Sequence, residues 1–325
     1  MKRRLGNPAF TGILLLFVMF MAALAPLASR AAPYAAMVMD ARTGEVLHSR
    51  NADTRLHPAS LTKMMTLYLA FQAIENGEIT LDTEITITPL AANEPPSKLG
   101  LRAGQRIRLR YLIRAAAVKS ANDAATAIGI ALEGSEAAFA RRMNRAAEAM
   151  GMTRTTFRNA HGLTEAGHLS TARDMTVLGR HVIYDFPQYY NLFSRRTADA
   201  GIATVSHTNR RFLDAYRGAD GIKTGYTRAA GFNLVASAER GSERIIATMF
   251  GGSSTAARNA RVAELMDMGF ARAPSSAPLR EPSEPSYAAI ASADTATPDA
   301  AGTAARTIRV SGLVTRSLRP IARPA

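Results

Sequence analysis

Apolar residues recur along this chain with two different periods, and the first is helical. Four of them follow one another at three- and four-residue intervals: Met64, Leu67, Phe71 and Ile74. This spacing places the side chains on one face of an α-helix, and Gly77 is a typical stop just beyond them. Pro58 biases the residue before it towards an extended backbone, so we predict a helix about 17 residues long that begins just after it. Further helices are predicted at 111–118 and 124–132, and after Ser135, Thr171 and Ser254.

Other stretches alternate or run apolar over short distances, which is typical of β-strands. Residues 34–40 and 45–50 flank a turn that contains Gly44, and this arrangement predicts a β-hairpin. Three further strands, antiparallel and joined by hairpins, are predicted at 221–225, 231–239 and 243–251. Shorter strands are expected within 79–89 and near 105–109.

The N-terminal 31 residues have a composition of their own. They combine a basic start, an apolar run from Ile13 to Ala25 and the small-residue sequence Ser29-Arg30-Ala31. This pattern predicts a secretory signal peptide at 1–31, cleaved after Ala31. The apolar run is shorter than the about 20 residues that a membrane span needs, so an uncleaved anchor is the less favoured alternative.

The C-terminal residues also differ from the centre of the chain. Residues 273–305 are rich in Ala, Pro, Ser and Thr, which predicts a disordered linker. Residues 306–325 form a basic tail whose apolar and arginine side chains fall on opposite sides of a helical wheel, a pattern suited to an anionic membrane surface. Gly312 and Pro320 disfavour a continuous helix, so a solvated tail is the alternative. Residues 32–272 are left as one folded domain.

Charge and cysteine content limit the possible partners and the possible chemistry of this protein. The chain carries 40 Lys+Arg and 26 Asp+Glu, a net charge of +14. Loss of residues 1–31 removes four basic residues and no acids, which leaves +10. Export argues against nucleic acid as the partner, and an anionic substrate or membrane surface fits the charge better. The chain has no cysteine, which excludes both a thiol nucleophile and disulfides.

Three short motifs carry chemistry, and the first is Ser60-Leu61-Thr62-Lys63. Ser60 lies at the start of the predicted helix, where unpaired N–H groups and the positive end of the helix dipole are found. Lys63 follows three residues later on the same face, and a buried or crowded lysine can act as a base. This arrangement indicates a serine nucleophile with a lysine base, although the motif alone occurs by chance in many helices.

The other two motifs are Ser120-Ala121-Asn122 and Lys223-Thr224-Gly225, and the three together are a combination known from serine penicillin-interacting enzymes. We expect Ser120 to relay a proton between Lys63 and the leaving group, and Asn122 to bind a substrate amide. Lys223 and Thr224 suit a terminal carboxylate, and Gly225 allows the strand to approach the substrate closely. The backbone N–H groups of Ser60 and Tyr226 are expected to form an oxyanion hole.

With these motifs the sequence resembles the serine D-alanyl-D-alanine carboxypeptidases, which are low-molecular-mass penicillin-binding proteins. The resemblance covers about residues 33–272 and extends to the local sequences 57–60, 160–163, 170–175 and 220–225. It implies a β-lactamase/transpeptidase-like α+β fold in which a five-stranded antiparallel sheet is flanked by helices and an all-helical cluster. It also implies removal of the terminal D-alanine from peptidoglycan stem peptides through an acyl-enzyme on Ser60, and covalent inhibition by β-lactams. The expected location is the periplasm, either free or held on the inner membrane by the tail.

The sequence departs from this family at two places. Several members have a histidine directly after Lys-Thr-Gly, whereas this chain has Tyr226, so a side-chain role there is in doubt. Many members also have a second β-rich domain, but only 53 residues follow Arg272 here, too few for a sandwich of about 100 residues.

Alternative functions remain open from the sequence. A class A β-lactamase needs a deacylating Glu, and Glu165, the only acid in the corresponding loop, does not match the usual motif. A D,D-endopeptidase or transpeptidase would use the same residues, and a peptidoglycan-binding module would not need them. The six histidines show no spacing typical of metal ligands, and His161 is expected to be a hydrogen-bonded loop residue, so we expect neither a metal nor a cofactor.

Overall fold

A computed structural model describes residues 33–287 of the chain. The α-helices are Lys63–Glu75 (α1), Pro89–Ala92 (α2), Leu109–Arg114 (α3), Asn122–Glu133 (α4), Glu136–Ala149 (α5), Ala172–Tyr184 (α6), Pro187–Tyr190 (α7), Arg210–Ala215 (α8) and Thr255–Arg272 (α9). The strands are Ala35–Asp40 (β1), Val46–Arg50 (β2), Glu84–Thr86 (β3), Arg106–Arg108 (β4), Thr197–Asp199 (β5), Thr204–Ser206 (β6), Ala219–Thr227 (β7), Gly231–Arg240 (β8) and Glu243–Gly252 (β9). A 3₁₀ turn at Ala59–Thr62 precedes α1, a π-helical turn at Ala115–Lys119 follows α3, and a second 3₁₀ turn spans Asn191–Phe193.

Five of the strands form one antiparallel sheet in the order β2-β1-β9-β8-β7. The predicted N-terminal hairpin and the three predicted C-terminal strands are therefore confirmed, and the two groups join where β1 pairs with β9. Strand β7 lies at the edge of the sheet and pairs only with β8 in this sheet, with Lys223 opposite Val235. Because the other edge of β7 has no partner strand among residues 33–287, its backbone can pair with a ligand.

Helices cover both faces of the sheet, and the apolar core on one face is larger than the core on the other. On one face, α9 packs a single apolar stripe that includes Val262, Leu265 and Met266. On the other face lies the larger core, at the centre of which α1 is buried on nearly every side. A helix that is apolar all round belongs in such an interior position, whereas a single stripe suits a surface helix. The first residues of α1 are consequently shielded from water.

Several helix starts agree with the sequence. Ser135 accepts a hydrogen bond from the Ala138 N–H, and Ser254 does the same for Ala257, so both are N-caps as predicted. Thr171 caps α6 through the Asp174 N–H. The Asp174 carboxylate, however, does not reach back to close a capping box, because it accepts from the Arg154 N–H and the Thr155 hydroxyl.

Three local predictions need correction. Ser60 lies in the 3₁₀ turn and not in the first turn of the α-helix, which begins at Lys63. Helix α4 begins at Asn122, two residues earlier than predicted. The helix predicted at 111–118 begins at Leu109, and its second half is the π-helical turn Ala115–Lys119.

The ends of the chain are described only in part. Residues 273–287, the first part of the expected linker, form no helix or strand, but Pro274 and Arg280 share hydrogen bonds with Arg42. The expected signal peptide at 1–31, the remainder of the linker and the basic tail at 306–325 lie outside the described residues. Among residues 33–287, the helices are too short or too polar to cross a membrane.

Candidate active site

Ser60 is presented by a tight turn at the head of α1. Ala59, just before it, adopts a left-handed conformation with φ of 50°. Gly162 packs against this turn so closely that a Cβ there would lie 1.9 Å from the Ala59 carbonyl oxygen. A side chain at 162 would therefore displace the turn, so glycine is required to hold Ser60 in place.

Lys63 is fully buried and its amine makes three contacts. Nζ lies 2.7 Å from Asn122 Oδ1, 2.7 Å from the His161 carbonyl oxygen and 3.1 Å from Ser60 Oγ. A neutral amine has two N–H bonds and one lone pair. The two short contacts take both N–H bonds, so the lone pair of the neutral amine points at the Ser60 hydroxyl.

The surroundings of Lys63 favour this neutral form. Burial lowers the pKa of Lys63 well below its usual value, and the positive charge of Lys223 lowers it further, while Glu94 and Asp123 partly oppose the shift. A lysine with a lowered pKa is a base that can accept the proton of a nearby hydroxyl.

Ser60 and Lys63 lie on one side of a cleft, which we call the helical wall. Ser120 and Asn122 complete this wall. Ser120 adopts φ of 63° between the π-helical turn and α4, and its buried Oγ has no hydrogen-bond partner among residues 33–287. Asn122 uses its amide inside the protein, since Oδ1 accepts from Lys63 and Nδ2 donates to the Pro95 carbonyl at 2.8 Å. One N–H of Nδ2 is left over for a ligand.

The opposite side of the cleft, which we call the strand wall, is formed by the edge strand β7. The side chain of Lys223, which belongs to this strand, is fully buried and donates to the Thr224 carbonyl at 3.0 Å. Lys223 is therefore not among the residues that line the cleft. Burial, with a smaller effect from Arg258, lowers the pKa of Lys223 to about 7. The Thr224 hydroxyl does line the cleft, 2.8 Å from the hydroxyl of Thr208.

The two walls approach each other closely at Gly225. A Cβ at this position would lie 2.8 Å from the Pro58 carbonyl oxygen and 3.2 Å from the Ser60 nitrogen. The absence of a side chain thus brings the following residue, Tyr226, next to the Ser60 turn. The Tyr226 side chain is itself 56% exposed and packs against Phe232 at a ring-centroid distance of 4.3 Å.

A cavity of about 340 Å³ lies between the walls. It is lined by Ser60, Pro96, Ser97, Ser120, Asn122, Gly162, Leu163, Thr208, Thr224, Gly225, Tyr226, Thr227, Phe232, Thr255 and Arg258. No carboxylate from the described part of the chain is among these lining residues. The structure therefore brings the predicted residues of all three motifs together around one cleft, with Lys63 and Lys223 just beneath its surface.

Sequence reasoning missed Thr208 and Arg258. Arg258 is buried at the start of α9, and burial lowers its pKa to about 10. It adds a second cation near Lys223 at the strand side of the cleft. Nothing in the local sequence separates Arg258 from the other arginines of α9, because only the packing of α9 on the sheet brings it to the site.

Comparison with known proteins agrees with this geometry. A sequence model of the D-alanyl-D-alanine carboxypeptidase family matches residues 22–254. The chain is 36% identical over 242 residues to D-alanyl-D-alanine carboxypeptidase DacF of Bacillus subtilis, a match that covers 73% of this chain and 62% of that protein. It therefore spans less than two thirds of that relative's length.

Two solved structures are also similar. Penicillin-binding protein 5 of Haemophilus influenzae superposes with a TM-score of 0.71 and 32% identity, over 74% of this chain and 72% of that one. Penicillin-binding protein D2 of Listeria monocytogenes, in its ampicillin-bound form, superposes with a TM-score of 0.67 and 34% identity, over 73% of this chain and 96% of that one. The expected α+β fold is confirmed by these neighbours, and the chain belongs to the D-alanyl-D-alanine carboxypeptidase family.

Proposed function

We propose that this protein is an exported serine D-Ala-D-Ala carboxypeptidase that removes the terminal D-alanine from peptidoglycan stem peptides. The observation that carries the proposal is the buried Lys63 amine, aimed at Ser60 Oγ by two acceptors and facing a cationic strand wall across the cleft. This arrangement suits attack on an amide bond that is followed by a free carboxylate.

In the first half of the reaction, neutral Lys63 takes the proton of Ser60 while Oγ attacks the carbonyl carbon of the penultimate D-alanine. The resulting oxyanion is stabilised by the N–H groups of Ser60 and Tyr226, each donor being typically worth about 3 kcal/mol. The proton then passes from Lys63 through Ser120 to the leaving nitrogen. The C–N bond breaks, free D-alanine departs, and the peptide remains as an ester on Ser60.

In the second half, water attacks the ester and gives its proton to Lys63, which returns it to Ser60 Oγ as the C–O bond breaks. Ser120 is suited to the relay because its buried hydroxyl has no partner within the described protein and lines the same cleft. No metal or cofactor is needed for this sequence of steps.

Substrate binding is assigned to both walls. The terminal carboxylate is bound by the Thr224 hydroxyl and by the charges of Lys223 and Arg258. The free N–H of Asn122 donates to the peptide, and Gly225 lets the substrate pair with the edge of β7.

A β-lactam should acylate Ser60 and stay there. The ampicillin-bound relative supports the first part of this expectation. The second part rests on two features: the amine released from a β-lactam ring stays attached to the acyl group and hinders the attack of water, and the described lining of the cleft holds no carboxylate to assist Lys63. Glu165, the acid that a β-lactamase would use here, is exposed and accepts a hydrogen bond from Asn159 instead.

We further propose that the protein acts in the periplasm, free or attached to the inner membrane through its basic tail, and that nucleic acid is not a partner. Fractionation of cells that express the full chain, with penicillin labelling of each fraction, tests the location.

Mass spectrometry after incubation with benzylpenicillin tests the chemistry. We expect an adduct of the intact drug on the peptide that contains Ser60, and release of D-alanine from a peptide that ends in D-Ala-D-Ala. Cross-linked muropeptides as substrate separate an endopeptidase from a carboxypeptidase. If neither adduct nor turnover is observed with the folded protein, a binding module replaces the enzyme.

A further inference from the structure

A second cavity, of about 330 Å³, adjoins the active-site cleft. Its walls come from the loop before α8 and from the first turns of α8 and α9. The lining residues are His207, Thr208, Asn209, Arg210, Arg211, Thr255, Arg258 and Asn259. Thr208, Thr255 and Arg258 line the cleft as well, so the two cavities share a border.

This border is where the proposed reaction places the leaving group. Thr208 Oγ1 lies 2.8 Å from Thr224 Oγ1, and the Thr224 hydroxyl and Arg258 are among the groups assigned to the terminal carboxylate. That carboxylate belongs to the D-alanine that departs when the C–N bond breaks. The second cavity therefore lies next to the departing residue, and we call it the leaving-side cavity.

The leaving-side cavity is cationic. Its lining includes three arginines, and none of its described lining residues is acidic. Arg258 is buried, and Arg210 Nε lies 3.3 Å from the carboxylate of Asp214. Arg211 is exposed and forms no ion pair with any of residues 33–287, because the nearby acid is already paired. The guanidinium of Arg211 is thus available to an anionic ligand.

The side chain of Asn209 indicates that the ligand is more than a simple anion. It is 1% exposed, and neither Oδ1 nor Nδ2 has a hydrogen-bond partner among residues 33–287. A buried amide without partners is costly, so such a group in a cavity wall is suited to a polar ligand. A peptide or amino-acid group satisfies both atoms, because it offers an N–H to Oδ1 and an oxygen to Nδ2.

Resting on the proposed carboxypeptidase reaction, we propose that the leaving-side cavity is a specificity subsite for leaving groups that are larger than D-alanine and carry a second carboxylate. The first carboxylate, beside the bond that breaks, remains with Thr224 and Arg258. The second is bound by Arg211, and Asn209 contacts polar groups of the leaving group. Both an acidic terminal D-amino acid and the neighbouring stem of a cross-linked peptide have this chemistry.

The test compares two synthetic substrates that differ in one group. Both are acyl-D-alanyl peptides that end in D-2-aminoadipate, with the side-chain carboxylate either free or converted to the carboxamide. We expect the full protein to favour the free carboxylate by about tenfold in kcat/KM, the lower end for a hydrogen bond between charged groups. Added salt should reduce this preference, because Arg211 is exposed. Equal kcat/KM values for the two substrates would overturn the proposal.

Three variants assign the preference to Arg211. Arg211→Gln removes the charge and should reduce the preference to about twofold or less, whereas Arg211→Lys keeps the charge and should retain part of it. Arg145→Gln, the same change at an exposed position of α5 outside both cavities, is the matched control and should keep the full preference. The readout is a ratio, so a general loss of activity does not affect it. An undiminished ratio in Arg211→Gln would contradict the assignment.

A cross-linked muropeptide dimer distinguishes the two sources of such a leaving group. If the wild type cleaves the dimer and Arg211→Gln loses more activity on it than on the carboxamide substrate, the subsite serves cross-links. If the dimer is not cleaved but the preference for the free carboxylate holds, the subsite serves acidic terminal residues.

Equilibrium binding separates this inference from the proposed function. Ser60→Ala lacks the nucleophile, so isothermal titration calorimetry measures its affinity for the two substrates without turnover. If the wild type hydrolyses no D-Ala-D-Ala peptide but Ser60→Ala binds the free carboxylate more tightly and loses this preference with Arg211→Gln, the proposed function fails and the subsite stands. If D-Ala-D-Ala is hydrolysed but neither rates nor affinities differ between the two substrates, the inference fails and the proposed function stands.

Discussion

Lys63 and Lys223 are both fully buried and both have a lowered pKa, yet the protein surrounds them differently. Lys63, on the helical wall, has two acceptors at 2.7 Å and a hydroxyl at 3.1 Å. Lys223, on the strand wall, donates only to the carbonyl of its own neighbour, Thr224, within the described residues.

This difference indicates two separate tasks. A fully bonded amine is held in one orientation, as a base needs to be. A buried cation with spare donors is costly until an anion approaches, so the strand wall is prepared for the carboxylate of a ligand. The helical wall is thus suited to proton transfer and the strand wall to binding. Substitutions in the two walls test this contrast, and their expected effects differ widely in size.

Replacing Lys63 should have the largest effect. Lys63→Met keeps most of the side-chain volume but removes the amine, and loss of a general base typically costs about 10²–10⁴-fold in rate. We expect acylation by benzylpenicillin to fall within this range, near its upper end. Stopped-flow or quenched acylation rates measure it, with circular dichroism to confirm folding. Acylation within tenfold of the wild type would remove Lys63 from the mechanism.

Disrupting the contact between the helical wall and the strand wall should have the second largest effect. In Gly225→Ala the new Cβ would lie 2.8 Å from the Pro58 carbonyl, so β7 must move away from the Ser60 turn. Displacing one oxyanion donor costs about 10²–10³-fold in kcat. Tyr226→Ala is the companion variant, because it keeps the backbone N–H and removes a mostly exposed ring, and it should lose much less. Equal losses in the two variants would argue against a backbone role.

Replacing Lys223 should affect binding more than chemistry. Lys223→Met removes one charged partner of the substrate carboxylate, which corresponds to about 1.5–3 kcal/mol, or roughly a 10- to 100-fold loss. We expect most of it in KM for a peptide with a free C-terminus. A peptide with an amidated C-terminus is the control, since it lacks the carboxylate and should be little affected by the substitution. A loss confined to kcat would contradict the assignment.

The smallest effect is a pH dependence of stability that both lysines share. The pKa of Lys223 is about 7 in the folded protein but near 10.5 when unfolded, so between these values the unfolded state binds the extra proton. The free energy of unfolding should therefore rise with pH in this window, by at most about 1.4 kcal/mol per pH unit for this group. Denaturant titrations of the wild type and Lys223→Met measure the difference in slope. Identical slopes would mean that Lys223 stays charged in the fold.

Much of the architecture was predictable because its signals are local. Alternating apolar residues identified strands β7, β8 and β9, and serines ahead of α5 and α9 identified two helix starts. The three motifs supplied the residues that line or underlie the cleft. The Ser60 turn was misjudged because its shape depends on Gly162, about 100 residues further along the chain.

Sequence alone determined most of the longer helices and strands, the reactive side chains and the family resemblance, since each depends on neighbouring residues or short motifs. Only the tertiary structure decided how Lys63 points, that Arg258 joins the site and that His161 lies between Glu94 and Glu136. These properties depend on burial and on groups far apart in the chain. Burial also lowers the pKa of both lysines, and it exists only after the helices have packed on the sheet.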